Sequence, residues 1–262
     1  MQKIATNLTI YNLINDIAPF ESQESYDNSG FLIGSINDEV KNILVALDAT
    51  PQVITEAINK EVQLLITHHP LLFHAIREIN TEGYDGSLLV QLINSGISLI
   101  SAHTNLDLTS LSGGAAIARK LSLQNIRQSM DPFLFLGDLP KVMTAGALGK
   151  LIGELLGTRL RCYGSLDKEI TTLSIAGGAY DLGYPKAISA GAQALLTGEV
   201  RYHHAIAASQ SDFVLFDGGH YQTEVPMMGE LTDYLQNKLH ELQYSVKVYL
   251  SECHHHSEGY TL

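Results

Sequence analysis

The chain has 262 residues, enough for one large or two small domains whose core needs no covalent staples. Its 45% hydrophobic and 17% charged content is ordinary for a globular protein, and its longest apolar runs are strand-length, which argues against a membrane-spanning helix. A net charge of −12 disfavours direct nucleic-acid binding, because phosphate recognition needs a basic surface.

From the N-terminus, "MQKIATNLTIYNLIND" has polar residues breaking its apolar ones and does not read as a signal peptide. Cys162 and Cys253 lie far apart and form no CxxC, so no disulfide framework is expected and a cytoplasmic location is. "NILVALDA" reads as a buried strand, and Thr50 followed by Pro51 supplies an N-cap and first helical position for "PQVITEAINK". "VQLLIT" is the next strand, "GSLLVQLINSG" a helix stopping at Gly96, "ISLISAH" a third strand and "GGAAIARKL" a short helix. This rhythm predicts parallel strands joined by right-handed crossovers.

From about Leu123 to Leu139 the rhythm is lost, and Pro132, Gly137 and Pro140 mark a lobe boundary. The second half resumes with "TAGALGKLIGELLG" as helix and "TTLSIAGG" as strand. "PKAISAG", "AQALLTG", "RYHHAIAASQ" and "DFVLFDGG" then alternate helix and strand, before a helix from about Thr223 to Leu239 and a last strand "YSVKVYL". The expected fold is therefore α/β: two related lobes, 1–125 and 126–262, with mostly parallel strands and flanking helices. The final segment is free to return to the first lobe.

Several strands end in residues suited to metal. "LLIT" runs into His68 and His69; "ISLISA" runs into His103, with Asp107 in "HTNLD"; "FVLFDGG" runs into His220, with Glu224 four residues later. Ligands bind outside the carboxyl ends of strands in open α/β sheets. Imidazole and carboxylate without thiolate suit two divalent ions such as zinc, iron, manganese or nickel. His220 and Glu224 share a face if they lie on the first turn of a helix. Adjacent strand residues point to opposite sides, so His68 and His69 would each serve a different ion, Glu224 would bridge and Asp107 would complete a shell. His74 or His240 alone reads as a surface or satisfied core residue, and "HHH" at 254–256 as a natural surface tail. "SIAGGAYDLG" reads as plain loop chemistry, and "GGAAIARK" lacks the order of a P-loop.

These blocks carry a resemblance. "ESYDNSGFLIGS", "ITHHPLLF", "SAHTNLD", "LLTGEVRYHHA" and "DGGHYQTE" together resemble the GTP cyclohydrolase I type 2 homologue family, also described as NGG-interacting-factor-like, with Tyr26 where tryptophan is commoner. The resemblance implies a dinuclear metal site on His68, His69, Asp107, His220 and Glu224 inside a toroidal homohexamer. It places His103 beside the metals, as a proton shuttle or extra ligand, and Glu199 and His203 along the cavity. The activity it implies is metal-dependent hydrolysis of a ring C–N bond or phosphoester in a small, nucleotide-like molecule, with His103 or His203 as general acid/base. The alternative is a non-catalytic metal carrier or oligomeric adaptor. A catalytic site keeps open coordination positions and a nearby acid/base, whereas a storage site is closed.

Overall fold

The computed structural model describes residues 3–180 and 183–253, so the histidine tail at 254–256 lies outside the described residues. The fold is mixed α/β, with two larger sheets and helices. In chain order the elements are β1 (Ala5–Thr6), α1 (Asn7–Ile17), β2 (Gly30–Ile33), β3 (Glu39–Val40), β4 (Asn42–Ala46), α2 (Pro51–Asn59), β5 (Leu64–Thr67), α3 (Tyr84–Asn94), β6 (Ser98–Ser101) and α4 (Thr104–Asp107). Then come α5 (Gly113–Lys120), β7 (Gln124–Gln128), β8 (Phe135–Thr144), α6 (Ala145–Leu156), β9 (Arg161–Tyr163) and β10 (Glu169–Ile175). The chain continues with α7 (Gly183–Ser189), β11 (Ala194–Thr197), α8 (Tyr202–Ser209), β12 (Val214–Asp217), α9 (His220–Glu241) and β13 (Lys247–Leu250).

The chain forms two compact units, one of residues 3–109 with 228–253, the other of 110–227. The first contains a five-stranded sheet in the order β13-β4-β5-β6-β2, parallel except where β2 closes the edge antiparallel to β6. Its strands β4, β5 and β6 are buried along nearly their whole length, as a parallel strand covered on both faces must be. Leu44, Leu65 and Leu99 meet Val53, Ile54, Leu88 and Leu92 from the helices in one core. Thr50 caps α2 as its sequence predicts, accepting a hydrogen bond from the Val53 amide with Pro51 in the first turn.

The second unit has a six-stranded sheet in the order β7-β8-β10-β11-β12-β9. Only β10-β11 and β11-β12 pair in parallel; β7, β8 and β9 add antiparallel edges. The expectation of mostly parallel strands is thus corrected here to a mixed sheet. The cause lies in the stretch from Leu123 to Leu139, where β7 and β8 form a hairpin. β7 is exposed along its whole length, so it carries no burial pattern to betray it. Pro140 is accommodated because the β8-β10 ladder shifts register between Ile170 and Thr172, leaving no bond for proline to break there. The pairing of β7 with β8 keeps both strands in the second compact unit, which begins at Ser110.

Both units are built on one strand-helix-strand-helix-strand plan, and its details recur 130 residues apart. Ile43 faces Leu64 across β4-β5 as Leu173 faces Ala194 across β10-β11. Before β5, the Gln63 carboxamide accepts from the amides of Lys41 and Asn42; before β11, that of Gln193 accepts from Thr171 and Thr172. Each glutamine thereby satisfies two successive backbone donors just ahead of the first parallel pair, Ile43 with Leu64 and Leu173 with Ala194. Gln193→Ala is therefore expected to lower stability by roughly 1–2 kcal/mol, for the two backbone bonds and the Thr171 hydroxyl bond it makes. The check is a lowered urea midpoint with an unchanged denaturant slope.

Candidate functional site

In the first unit, β5 ends at Thr67, and the backbone beyond it is held tightly. The amide of His69 donates to Leu47, that of Ala102 to Thr67, and the Thr67 hydroxyl to the carbonyl of His69. His68 and His69 are past the strand, so alternation no longer separates them. Their ring centroids lie 4.9 Å apart, and His103, the residue preceding α4, lies 4.9 Å from the first and 5.5 Å from the second. One ligand atom from each of the three falls within 4.8 Å of the others, a group able to hold a metal ion. Asp107, at the end of α4, places Oδ2 3.8 Å from His68 Nε2. That is long for a hydrogen bond but within the ~4.2 Å that two atoms each ~2.1 Å from one ion can span.

The tautomers follow from the partners. His68 is fully buried, and its Nδ1 lies 2.8 Å from the Ala102 carbonyl, which can only accept, so Nδ1 carries the proton and Nε2 the lone pair. His69 Nδ1 faces Asp48 Oδ1 at 2.7 Å, and His103 Nδ1 faces Asp27 Oδ1 at 2.8 Å. Burial pushes the Asp27 carboxyl up, but hydrogen bonds from His103 and Thr104, the charge of His103 and the Asn28 amide together hold it well below the usual carboxylate range. Asp27 thus remains an ionised acceptor. It also takes bonds from the Thr104 amide and the Ser29 hydroxyl, while the Ser29 oxygen accepts from the His103 amide. Sequence reasoning quoted Asp27 only within a motif and passed over Asp48; the available signal was that Asp48 is the first acid past the buried β4, with only Leu47 between.

In the second unit, α9 begins at His220, earlier than its periodicity suggests, and so places His220 and Glu224 one turn apart. His220 Nε2 is 3.0 Å from Glu224 Oε2, and its Nδ1 is 2.7 Å from Glu199 Oε1. Glu199, expected along a cavity, is the residue that orients His220. His203 is exposed on α8 with its ring 4.2 Å from that of His204, and among the described bonds none joins it to His220 or Glu224.

The start of α9 rests on glycines. A Cβ at Gly113 would meet the Thr223 carbonyl at 2.3 Å, one at Gly198 the Thr223 hydroxyl at 2.6 Å, and one at Gly178 Glu224 Oε1 at 2.0 Å. Thr223 ties the seat together, accepting from the Gly178 amide at 3.1 Å. The stretch "SIAGGAYDLG" is therefore no plain loop: Gly178, at φ +59°, is the floor under Glu224.

The fold and side chains define an α/β protein with imidazole–carboxylate clusters fit for divalent metal. The profile of Duf34/NIF3 (NGG1p interacting factor 3) matches residues 6–257, and the chain belongs to that family. The resemblance read from its five blocks is thus borne out. A Clostridium perfringens protein named GTP cyclohydrolase 1 type 2 homolog is 32% identical over 240 residues, which cover 88% of this chain and 91% of that one. Helicobacter pylori (strain J99) GTP cyclohydrolase 1 type 2 is 36% identical over 217 residues, 82% of this chain and 85% of that one. Among solved structures, Staphylococcus aureus hypothetical protein SA1388 superposes with a TM-score of 0.91 at 25% identity, covering 98% of this chain and 99% of that one. Among the described residues no helix is long and apolar enough to cross a membrane.

Gly178→Ala should weaken divalent-metal binding about 10- to 100-fold by displacing Glu224, on top of a left-handed backbone cost of about 1–2 kcal/mol. Gly96, at φ +65° with no heavy atom within 4 Å of a Cβ built there, is the control. Gly96→Ala should lose comparable stability in thermal melts yet keep its metal affinity in zinc titration calorimetry.

Proposed function

We propose that the protein is a dinuclear, divalent-metal-dependent hydrolase, similar to GTP cyclohydrolase 1 type 2, acting on a C–N ring bond or phosphoester of a nucleotide-like small molecule. The observation that carries this reading is that His68, His69, His103 and His220 each have Nδ1 at hydrogen-bond distance from an oxygen acceptor. That arrangement orients metal-binding imidazoles and fixes their tautomer. His68, His69, Asp107, His220 and Glu224 are the proposed ligands of two ions. When bound, such ions would act as Lewis acids on a substrate oxygen or nitrogen, making the attached carbon or phosphorus more electrophilic.

The chain's own residues do the remaining work. Asp27 keeps the proton on His103 Nδ1, which leaves Nε2 to take a proton and return it, and the ionised carboxylate stabilises the imidazolium formed. Glu199 and Asp48 hold His220 and His69 in the orientation that presents Nε2.

Elemental analysis of untagged protein is expected to find about two borderline divalent ions per chain, a content that His69→Ala with His220→Ala abolishes. His103→Ala should keep most of the metal but lose turnover by roughly a hundredfold or more against a nucleotide and phosphoester panel. Metal and activity falling together would make His103 a ligand. No turnover by loaded wild type, with ready metal transfer to an acceptor protein, would establish the carrier reading.

The relatives' family also leads us to propose a closed homohexamer. Light scattering is expected to give six chains per particle, and a monomer at micromolar concentration would refute it.

A further inference from the structure

The segment 70–83, directly after His69, has no regular secondary structure, and every residue from Phe73 to Gly83 is exposed. Its apolar residues divide sharply. Leu71 and Leu72 pack against the core of the first unit, whereas the larger Phe73 is left 36% exposed. Its ring instead stands nearly perpendicular to His103, centroids 6.0 Å apart, and to His74, centroids 5.0 Å apart. The placement is held: Asn28 Nδ2 donates to the Leu72 carbonyl at 2.6 Å, and the residue before Asn28 is Asp27, the partner of His103. One short loop thereby fixes both the imidazole and the backbone that carries the phenyl ring.

We propose that Phe73 is a specificity-determining residue, the stacking surface against which a planar heterocycle lies when it is presented to His103. This rests on the hydrolase reading above. An aromatic face partly in water beside an acid/base imidazole is suited to a π-system of any base identity, and an aromatic–heterocycle stack discriminates against substrates that lack a ring. Asn28 is a positioning residue for it, acting through Leu72.

The test uses the metal-loaded full chain with GTP as ring-bearing probe and inorganic tripolyphosphate as ring-free probe. The chain contains no tryptophan, so Phe73→Trp places its one tryptophan, excited selectively at the red edge beyond tyrosine absorption, at the position in question. Saturable quenching of that emission by GTP but not by tripolyphosphate is expected. Phe73→Ala is expected to weaken GTP binding roughly five- to hundredfold, with tripolyphosphate binding and metal content unchanged and Phe73→Tyr close to wild type. Asn28→Ala should weaken GTP binding in the same direction by a smaller factor. Equal GTP affinity in wild type and Phe73→Ala, with turnover intact, would overturn the role of Phe73 and leave the hydrolase reading standing. Quenching and lost affinity as expected, with no turnover by wild type, would overturn the hydrolase reading and leave the stacking role. Neither quenching of the Phe73→Trp protein nor any loss of GTP affinity in Phe73→Ala would end the proposal outright.

Discussion

The hydrogen bond at Nδ1 is the constraint on which the candidate site depends. A neutral imidazole has one donor and one acceptor nitrogen, and a fixed oxygen beside one decides the chemistry of the other. At His68 the oxygen is a backbone carbonyl; at His69, His103 and His220 it is the carboxylate of Asp48, Asp27 or Glu199. The carboxylates do more than orient. Each sets a carboxylate oxygen against the ring it touches, and part of the chain's excess of acid over base is used in this way rather than on a solvated surface. Asp27 serves the ring of His103 while gathering Thr104 and Ser29 around it.

The second unit solves a different problem, which is how to bring the first turn of a long helix against several backbones at once. Gly113, Gly178 and Gly198 do this by having no Cβ, and Thr223 stitches the arrangement together. Close approach leaves Glu224 almost fully buried, with the His220 ring beside it. A buried carboxylate is costly unless compensated, so a seat this specific is maintained at some expense to stability. Residues from Met228 onwards in the same helix belong to the first unit, where the Tyr234 hydroxyl donates to the Leu13 carbonyl.

The 130-residue correspondence shows how one scaffold has been put to two uses. Thr67 and Thr197 both close their strands, and both hydroxyls donate to nearby carbonyls, of His69 and Gly178 respectively. The two following positions diverge, to His68 and His69 in one unit and to Gly198 and Glu199 in the other. The first pair presents imidazoles. The second clears room for a helix and supplies the carboxylate that orients His220.

Much of this was legible in the sequence. Apolar runs with capping residues marked β4, α2, β5, α3 and β6, because burial and capping act within a few residues and leave local traces. Histidines after two apolar strands marked His68, His69 and His103, with Asp107 close behind, because neighbouring parallel strands of one sheet end together; His220 and Glu224 were marked in the same way after β12 of the other sheet. Tertiary structure alone revealed the β7-β8 hairpin, because β7 has no buried face and so no pattern to read. It alone made Asp27 and Asp48 the partners of His103 and His69, pairings separated by 76 and 21 residues that no local rule connects. It also changed Gly178 from a turn residue into the floor beneath Glu224, since a glycine's sequence says that space is needed and only the packed neighbour says for what.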